Sequence, residues 1–509
     1  MRKILLQAGK GVMSGYILTI VKIVRKLVLI PMMMGFMGQS LYGIWLIIGE
    51  IMAYLRQFEG GLGFAIEQRV ASVKWENNLA KLNAIYSNGL IIYFVLSLVL
   101  IIVGFMMVPF LTIIFKVDPI HTTLVSTVFF ISVLSMGLGL PLDVVSSLIR
   151  GVQKQAWATS IAIAVSIIGF ILVVILLNLG FGLLALPIAG LFLLVFRYWF
   201  SLYLIRRAVE GISFSVSYFS KKISKSLVSF SFFAFINQIS SIVIFGTDAI
   251  VIGHFLGTDR VAVYVLSFQL TLTLIGLVRG VSNHLQPGFA ELTSMQKVEQ
   301  LRKLFVDTLR VSMVFAGLVV VSVYFMNNYF VNLWVGHDNY GGQLLSIIFS
   351  LIGFYTILRT HCNALLLSAG DVKFVAIWGI IEAFLNLTFS LILVKSFGLV
   401  GVALGTLLAG IVVSVLLFIP KVLKKIDISL LKIIFVIIIR PIIYSIPTAF
   451  TFWLLNEYLF FSLSWSWFLF TGFIAGSVGL ISIWFNIDFE YRIRLLQKLN
   501  VHFLKKYSC

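Results

Sequence analysis

Three cationic residues, Lys22, Arg25 and Lys26, lie close together in one long apolar stretch of the sequence. Their spacings of three and four residues place all three on the same face of a helix. Each charge costs ~2.5–3.5 kcal/mol at the centre of a membrane-spanning helix, so this face needs a partner or water rather than lipid. A cluster of three cations suits an anionic ligand.

Internal pairing is the alternative for this face. If the chain folds back at Gly38, Glu50 reaches the depth of Lys26, and one salt bridge is expected there. One carboxylate cannot neutralise three cations, so anion binding is the favoured interpretation.

Other cations also fall inside apolar stretches. Arg359 opens the polar run Arg359-Thr360-His361-Cys362-Asn363, and we expect it to face a cavity. Arg279 and Arg440 lie near the cytoplasmic edge of their predicted helices, so they either line the cavity or extend to the membrane surface. Arg56 is buried by position, whereas Arg197 lies closer to a predicted helix end and is expected to extend to the surface.

Carboxylates inside the apolar stretches could couple transport to ions. The candidates are Asp248, Glu382 and Glu50, because a membrane carboxylate can take up a proton or Na⁺ during a transport cycle. Each can equally be half of a salt bridge, and both interpretations stay open. Glu59 and Asp143 are also buried by position.

Motifs for chemical catalysis are absent from the sequence. It contains no G-x-x-x-x-G-K-[ST] phosphate cradle, no HExxH, no paired CxxC and no G-x-S-x-G. The two cysteines cannot form a disulfide framework or a metal set. We therefore predict no catalytic residues, no metal and no cofactor, and a transporter rather than an enzyme.

The composition is that of a polytopic membrane protein. Of the 509 residues, 60% are hydrophobic and 11% are charged, and the mean hydropathy is +1.08. The sequence predicts an all-α chain of about fourteen transmembrane helices. They lie at about 12–36, 41–63, 83–108, 121–147, 158–178, 182–205, 227–253, 261–285, 304–326, 342–367, 374–395, 399–420, 433–455 and 465–485.

The net charge of +19 is explained by the distribution of Lys and Arg along these helices. Most of them lie in alternate loops and in the tails, which is the positive-inside pattern. It predicts that both termini are cytoplasmic. Because the charge is divided among membrane loops, a nucleic-acid partner is excluded.

The chain also resembles itself at a shift of 219 residues. Gly151 then falls on Gly370, and Gly38 falls on Gly257. Repeated halves are typical of secondary transporters, in which two bundles enclose a substrate site and alternate its access. We predict a first six-helix bundle at residues 1–217, a second at 218–430, and two extra helices with a basic cytoplasmic tail at 431–509. The face of Lys22, Arg25 and Lys26 would point to the space between the bundles.

Four segments resemble a known family in their order and spacing. They are Gln57-Phe58-Glu59-Gly60-Gly61-Leu62-Gly63-Phe64-Ala65, Asp248-Ala249-Ile250-Val251-Ile252-Gly253-His254-Phe255-Leu256-Gly257, Leu333-Trp334-Val335-Gly336 and Gly398-Leu399-Val400-Gly401-Val402-Ala403-Leu404-Gly405. Over nearly its full length the chain is similar to the polysaccharide transporters, with the Wzx-type O-antigen flippases, of the multidrug/oligosaccharidyl-lipid/polysaccharide exporter superfamily.

The resemblance implies a function. Such flippases move undecaprenyl-pyrophosphate-linked oligosaccharides from the cytoplasmic to the outer leaflet of the inner membrane, for lipopolysaccharide or other surface polysaccharide. A polysaccharide polymerase and a chain-length regulator would be partners. Lys22, Arg25, Lys26 and Arg359 fit the cationic cavity described for the family, and Asp248 matches an acid common at its position. The alternatives are a lipid II flippase, whose last two helices form a lipid groove, and a multidrug/cation antiporter.

Overall fold

The computed structural model describes the backbone of residues 2–74, 78–115, 119–458 and 464–486. The side chains of residues 2–12, 58, 74, 112–114, 230–245, 279–284 and 458 are outside this description. All regular structure in the described ranges is helical, without a strand, which confirms the predicted all-α class.

Sixteen α-helices are assigned in the described part of the chain. They are α1 (Arg2–Arg56), α2 (Leu62–Lys74), α3 (Leu79–Ile114), α4 (Thr122–Gly139), α5 (Pro141–Gly151), α6 (Gln155–Asn178), α7 (Ala185–Ala208), α8 (Lys221–Phe255), α9 (Thr258–Ser294), α10 (Val298–Val335), α11 (Gln343–Ser368), α12 (Val372–Val413), α13 (Ile419–Ile426), α14 (Leu430–Ile434), α15 (Arg440–Tyr458) and α16 (Trp465–Asn486). Short 3₁₀ helices lie at Gln57–Glu59, Pro119–His121, Gly182–Leu184, Val216–Tyr218 and His337–Asn339, and π-helical turns at Ser414–Phe418 and Phe435–Ile439.

Ten helical stretches of the described residues are long and apolar enough to cross a membrane. The protein is therefore a multi-pass membrane protein, and the count of fourteen spans stays a prediction. Two long helices are broken by a glycine, α1 at Gly38 (φ 73°) and α12 at Gly398 (φ 55°). Both predicted boundaries fall at these glycines, because a left-handed φ interrupts a helix at little cost only where no Cβ is present.

The break at Gly398 folds α12 into an antiparallel hairpin. Asn386 donates a hydrogen bond to Thr406 (Nδ2–Oγ1, 2.9 Å), and a Cβ on Gly405 would lie 2.6 Å from the backbone nitrogen of Ser390. The two arms therefore pack at backbone distance, which the small residues of the second arm permit.

By internal packing the chain forms two units, Met1–Ala262 and Val263–Cys509. The repeat predicts other boundaries, at 217/218 and 430/431. These describe the internal duplication rather than the packing, and they stay a prediction. In the first unit α8 packs on α1, α2 and α3. In the second unit a buried apolar core joins α9 to α14, with Phe289, Phe305 and Phe418 fully enclosed.

Helix α2 was missed in the sequence because it is not a membrane span. It follows the Gly60–Gly61 turn, where both glycines have positive φ. Leu62, Ile66 and Val70 are buried against α3, α5 and α8, and the exposed face carries Gln68, Arg69 and Ser72 together with Phe64. A short amphipathic helix of this kind is invisible to a search for long apolar stretches.

The connection between α7 and α8 is bound to α3. The backbone N–H groups of Ser213, Ser215 and Ser220 donate to Asn83, Ser87 and Asn88 of α3 at 2.9–3.2 Å. These three α3 side chains are buried, and the hydrogen bonds explain why polar groups are tolerated there. This connection is therefore anchored within the first unit.

Two lysines of α13 form ion pairs with Asp371, in the turn before α12. Lys425 donates to Asp371 at 2.8 Å, and Lys421 lies 3.5 Å from the same carboxylate. Burial of Asp371 opposes its ionisation, but the two ammonium groups outweigh burial and hold the pKa of Asp371 below its ordinary value. The contact ties the turn after α11 to α13.

Candidate functional site

The cationic face of α1 is present as the spacing predicts. Lys22 and Lys26 are exposed and Arg25 is half-buried. The three charges lie close enough to act on one another. Among the described side chains no carboxylate lies within 4.0 Å of any of the three. The predicted salt bridge between Glu50 and Lys26 is not formed, so this charge has no protein counter-ion in the described structure.

Glu50 lies against α8 instead. A Cβ on Gly246 would lie 2.7 Å from Glu50 Oε2 and 2.8 Å from the Tyr54 hydroxyl, so the glycine makes room for both groups. The charges of Glu50 and Asp248 both act on the Tyr54 phenol, and Asp248 is buried. Glu50 on α1 and Asp248 on α8 thus both lie within electrostatic range of Tyr54. Carboxylates that approach in a low dielectric repel each other, and a bound proton or monovalent cation relieves that repulsion.

Arg359 and Glu382, predicted for different roles, form an ion pair between α11 and α12. Only 12% of the Arg359 side chain and 1% of the Glu382 side chain are exposed. The Arg359 guanidinium also lies 5.2 Å from the centre of the Phe418 ring. Because Glu382 already compensates the charge of Arg359, Arg359 is no longer a candidate for the anion site.

The two remaining predicted cations are Arg440 and Arg279. Arg440, at the start of α15, donates to Asn486 on α16 at 2.9 Å and lies 5.7 Å from the Phe435 ring centre. It bridges the last two helices. Arg279 belongs to α9, but its side chain lies outside the described residues.

A second group of buried charges was not assembled from the sequence. Asp143 on α5 accepts from Arg56 on α1 at 3.1 Å and from Arg197 on α7. The expectation that Arg197 extends to the surface is wrong. The helical stretch that includes α7 runs from Gly182 to Ala208 and so ends three residues later than predicted, which places Arg197 further from its end, where it pairs with Asp143. The sequence does carry a signal for this group. Asp143, Arg56 and Arg197 lie at similar predicted depths in the membrane, and one acid can pair with both arginines.

An apolar groove lies in the second unit, between α9, α10, α15 and α16. Its volume is about 490 Å³. The walls are mostly aliphatic and aromatic, with Leu274, Phe315, Leu318, Ala475 and Ile483 among them. A groove of this composition accommodates a hydrocarbon chain rather than a polar ligand.

Comparisons with known proteins identify two matching families. The polysaccharide biosynthesis protein family matches residues 8–293, more than half of the chain, and the MatE family matches residues 234–392. No curated protein matches significantly.

Solved structures show the same fold at low sequence identity. An inward-facing multidrug resistance MATE family transporter of the MOP superfamily is 15% identical, with a TM-score of 0.66 over 79% of this chain and 94% of that chain. The lipid II flippase MurJ in an inward closed conformation is 14% identical, with a TM-score of 0.66 over 94% and 100%. A MOP superfamily transporter from Pyrococcus furiosus, described as having a binding pocket of reverse polarity, is 16% identical, with a TM-score of 0.59 over 84% and 97%.

These matches confirm the resemblance inferred from the sequence. The fold is that of the MOP-superfamily transporters, and the chain belongs to the polysaccharide biosynthesis protein family.

Proposed function

We propose that this protein is a flippase for a lipid-linked oligosaccharide. It translocates an undecaprenyl-pyrophosphate-linked glycan from the cytoplasmic to the outer leaflet of the cytoplasmic membrane, by alternating access, for the synthesis of surface polysaccharide such as O-antigen. The observation that carries the proposal is the face of Lys22, Arg25 and Lys26, which has no counter-ion among the described residues. Uncompensated cations on a membrane helix are costly and indicate a ligand.

The ligand chemistry follows from the three side chains. A pyrophosphate carries several negative charges and presents many acceptor oxygens. The planar guanidinium of Arg25 can form two parallel hydrogen bonds to one phosphate group. The ammonium groups of Lys22 and Lys26 lie on the same face and supply further charge.

The lipid part of the substrate would use the apolar groove of α9, α10, α15 and α16. Its volume of about 490 Å³ and its apolar lining suit part of a prenyl chain. Arg440 and Asn486 link α15 to α16 at one end of these helices, so we assign Arg440 to holding the groove helices together rather than to the pyrophosphate.

The first alternative is lipid II transport in peptidoglycan synthesis. It is supported by the resemblance to the MurJ fold, which covers the last helices as well. The second alternative is multidrug or cation antiport, supported by the resemblance to MATE transporters. Three uncompensated cations disfavour a cationic substrate, because like charges repel strongly in a low dielectric.

The neighbouring carboxylates Glu50 and Asp248 are our candidates for ion coupling. Their shared environment with Tyr54 suits uptake of one proton or Na⁺. Glu382 is a weaker candidate, because release of its carboxylate from Arg359 would leave a buried charge without a partner.

The cationic face is tested by charge removal. Arg25→Ala should lower the rate of glycan-lipid flipping in reconstituted vesicles about tenfold or more, since hydrogen bonds to charged groups contribute ~1.5–3 kcal/mol. Arg25→Lys should retain part of the rate, because charge is kept and the planar fork is lost. Arg260→Ala, which removes an exposed arginine of α9, is the control and should leave the rate unchanged. Normal flipping by the Lys22, Arg25 and Lys26 triple alanine variant would exclude the anion site.

The driving force is tested with imposed gradients and no ATP. A pyrophosphate that leaves a negative-inside compartment gains about 2.3 kcal/mol per charge per 100 mV if it crosses the full potential. Flipping should therefore accelerate with an inside-negative potential. Asp248→Asn should remove the pH dependence of turnover, whereas Glu457→Gln, at an exposed position of α15, should not. Indifference to both gradients, with stimulation by ATP, contradicts the proposed energetics.

The orientation is tested with a reporter that is active only outside the cytoplasm. The positive-inside pattern places both termini in the cytoplasm. Fusions at Gln343, which begins α11, should be active, and fusions at Lys373, at the start of α12, should be silent. The opposite result reverses the topology.

A further inference from the structure

A second polar site lies inside the first unit. An open cavity of about 320 Å³ is lined by α1, α4, α5, α6 and α7, and its size falls in the ~300–1,000 Å³ range of small-ligand pockets. Its polar lining comprises Arg56, Arg197, Asp143, Trp45, Ser132 and Ser135. Lys22, Arg25 and Lys26 do not line it, so it is distinct from the cationic face.

The charges of this cavity sum to one excess positive charge. Both oxygens of Asp143 are used, Oδ2 by Arg56 at 3.1 Å and Oδ1 by Arg197. The next acid that acts on Asp143 is Glu59, which accepts a 2.5 Å hydrogen bond from Tyr93 and does not line the cavity. One lining carboxylate therefore faces two lining guanidinium groups. More than half of the Arg56 side chain is exposed, so its remaining N–H groups can meet a ligand.

The other polar lining groups also have free hydrogen-bonding capacity. The Trp45 indole is half-buried, and neither it nor the Ser135 hydroxyl makes a hydrogen bond within the described part of the chain. Ser132 donates to the Val128 carbonyl at 2.7 Å, which leaves its oxygen lone pairs available. The indole suits a ring with an apolar face, and the two hydroxyls suit a ring with hydroxyl groups at its edge. The excess guanidinium suits a negative charge on the same ligand.

We propose that this cavity binds an acidic sugar, a pyranose ring that carries a carboxylate. The ring packs on Trp45, its hydroxyls bond to Ser132 and Ser135, and its carboxylate is held by Arg56 and Arg197 without displacement of Asp143. The assignment rests on the proposed function, since it names the class of glycan unit that the transporter accepts. A phosphate oxyanion would meet the same guanidinium groups, and the experiment separates the two sources.

The test is a calorimetric titration of the purified full chain in lipid nanodiscs. The probes are D-glucuronate, D-glucose and inorganic pyrophosphate. Glucuronate should bind at least tenfold more tightly than glucose. Arg56→Gln should remove that preference, and Trp45→Ala should weaken both sugars. Arg56→Lys keeps the charge, should retain part of the preference, and serves if the glutamine variant does not fold. Arg260→Gln, an exposed arginine outside the cavity, should change nothing.

The outcomes distinguish this site from the cationic face. Equal affinity for glucose and glucuronate, or a preference that survives Arg56→Gln, overturns the acidic-sugar assignment. Loss of pyrophosphate binding on Arg56→Gln, with no glucuronate binding, shows that the cavity is a phosphate site and also overturns it. Pyrophosphate binding that survives the triple alanine variant of Lys22, Arg25 and Lys26 counts against the proposed function and leaves the sugar assignment standing.

Discussion

A charge inside a membrane protein must find either an opposite charge or water, and this constraint organises the whole structure. Arg359 satisfies it with Glu382, and Asp143 satisfies it twice, with Arg56 and Arg197. These pairs join different helices. Removal of one partner would leave the other charge buried and unpaired. The face of Lys22, Arg25 and Lys26 is the exception, because no described carboxylate neutralises it. We assign the missing negative charge to the substrate.

The substrate proposed here has three chemically different parts, and we assign a different surface to each. The cationic face suits a pyrophosphate, the cavity of the first unit suits a sugar that carries a carboxylate, and the apolar groove of the second unit suits a prenyl chain. Membership of the polysaccharide biosynthesis protein family and the MOP-superfamily fold are consistent with this division. Glu50 on α1 and Asp248 on α8 are our candidates for ion coupling, and both act on Tyr54.

Much of the fold follows from the sequence, and less of the site does. Long apolar stretches gave the helical class, and the glycines at 38 and 398 marked breaks that the structure shows. Helical spacing placed Lys22, Arg25 and Lys26 on one face, because periodicity within one helix is local information. Pairing between helices is not local. Neither the contact of Arg359 with Glu382 nor the approach of Glu50 to Gly246 could be predicted, since each depends on how two helices are rotated against each other. The short amphipathic helix α2 was missed because its charges hide it from any hydropathy average.

The most direct test of the central claim is a comparison of substrates in vesicles that contain only the purified protein. Three molecules are compared: a fluorescent glycan on undecaprenyl pyrophosphate, the same glycan on undecaprenyl monophosphate, and a lipophilic cation. We expect rapid translocation of the pyrophosphate lipid, slower translocation of the monophosphate lipid and no translocation of the cation. The reason is that Lys22, Arg25 and Lys26 select for negative charge. Transport of the cation with no movement of either lipid would contradict the account and favour an antiporter.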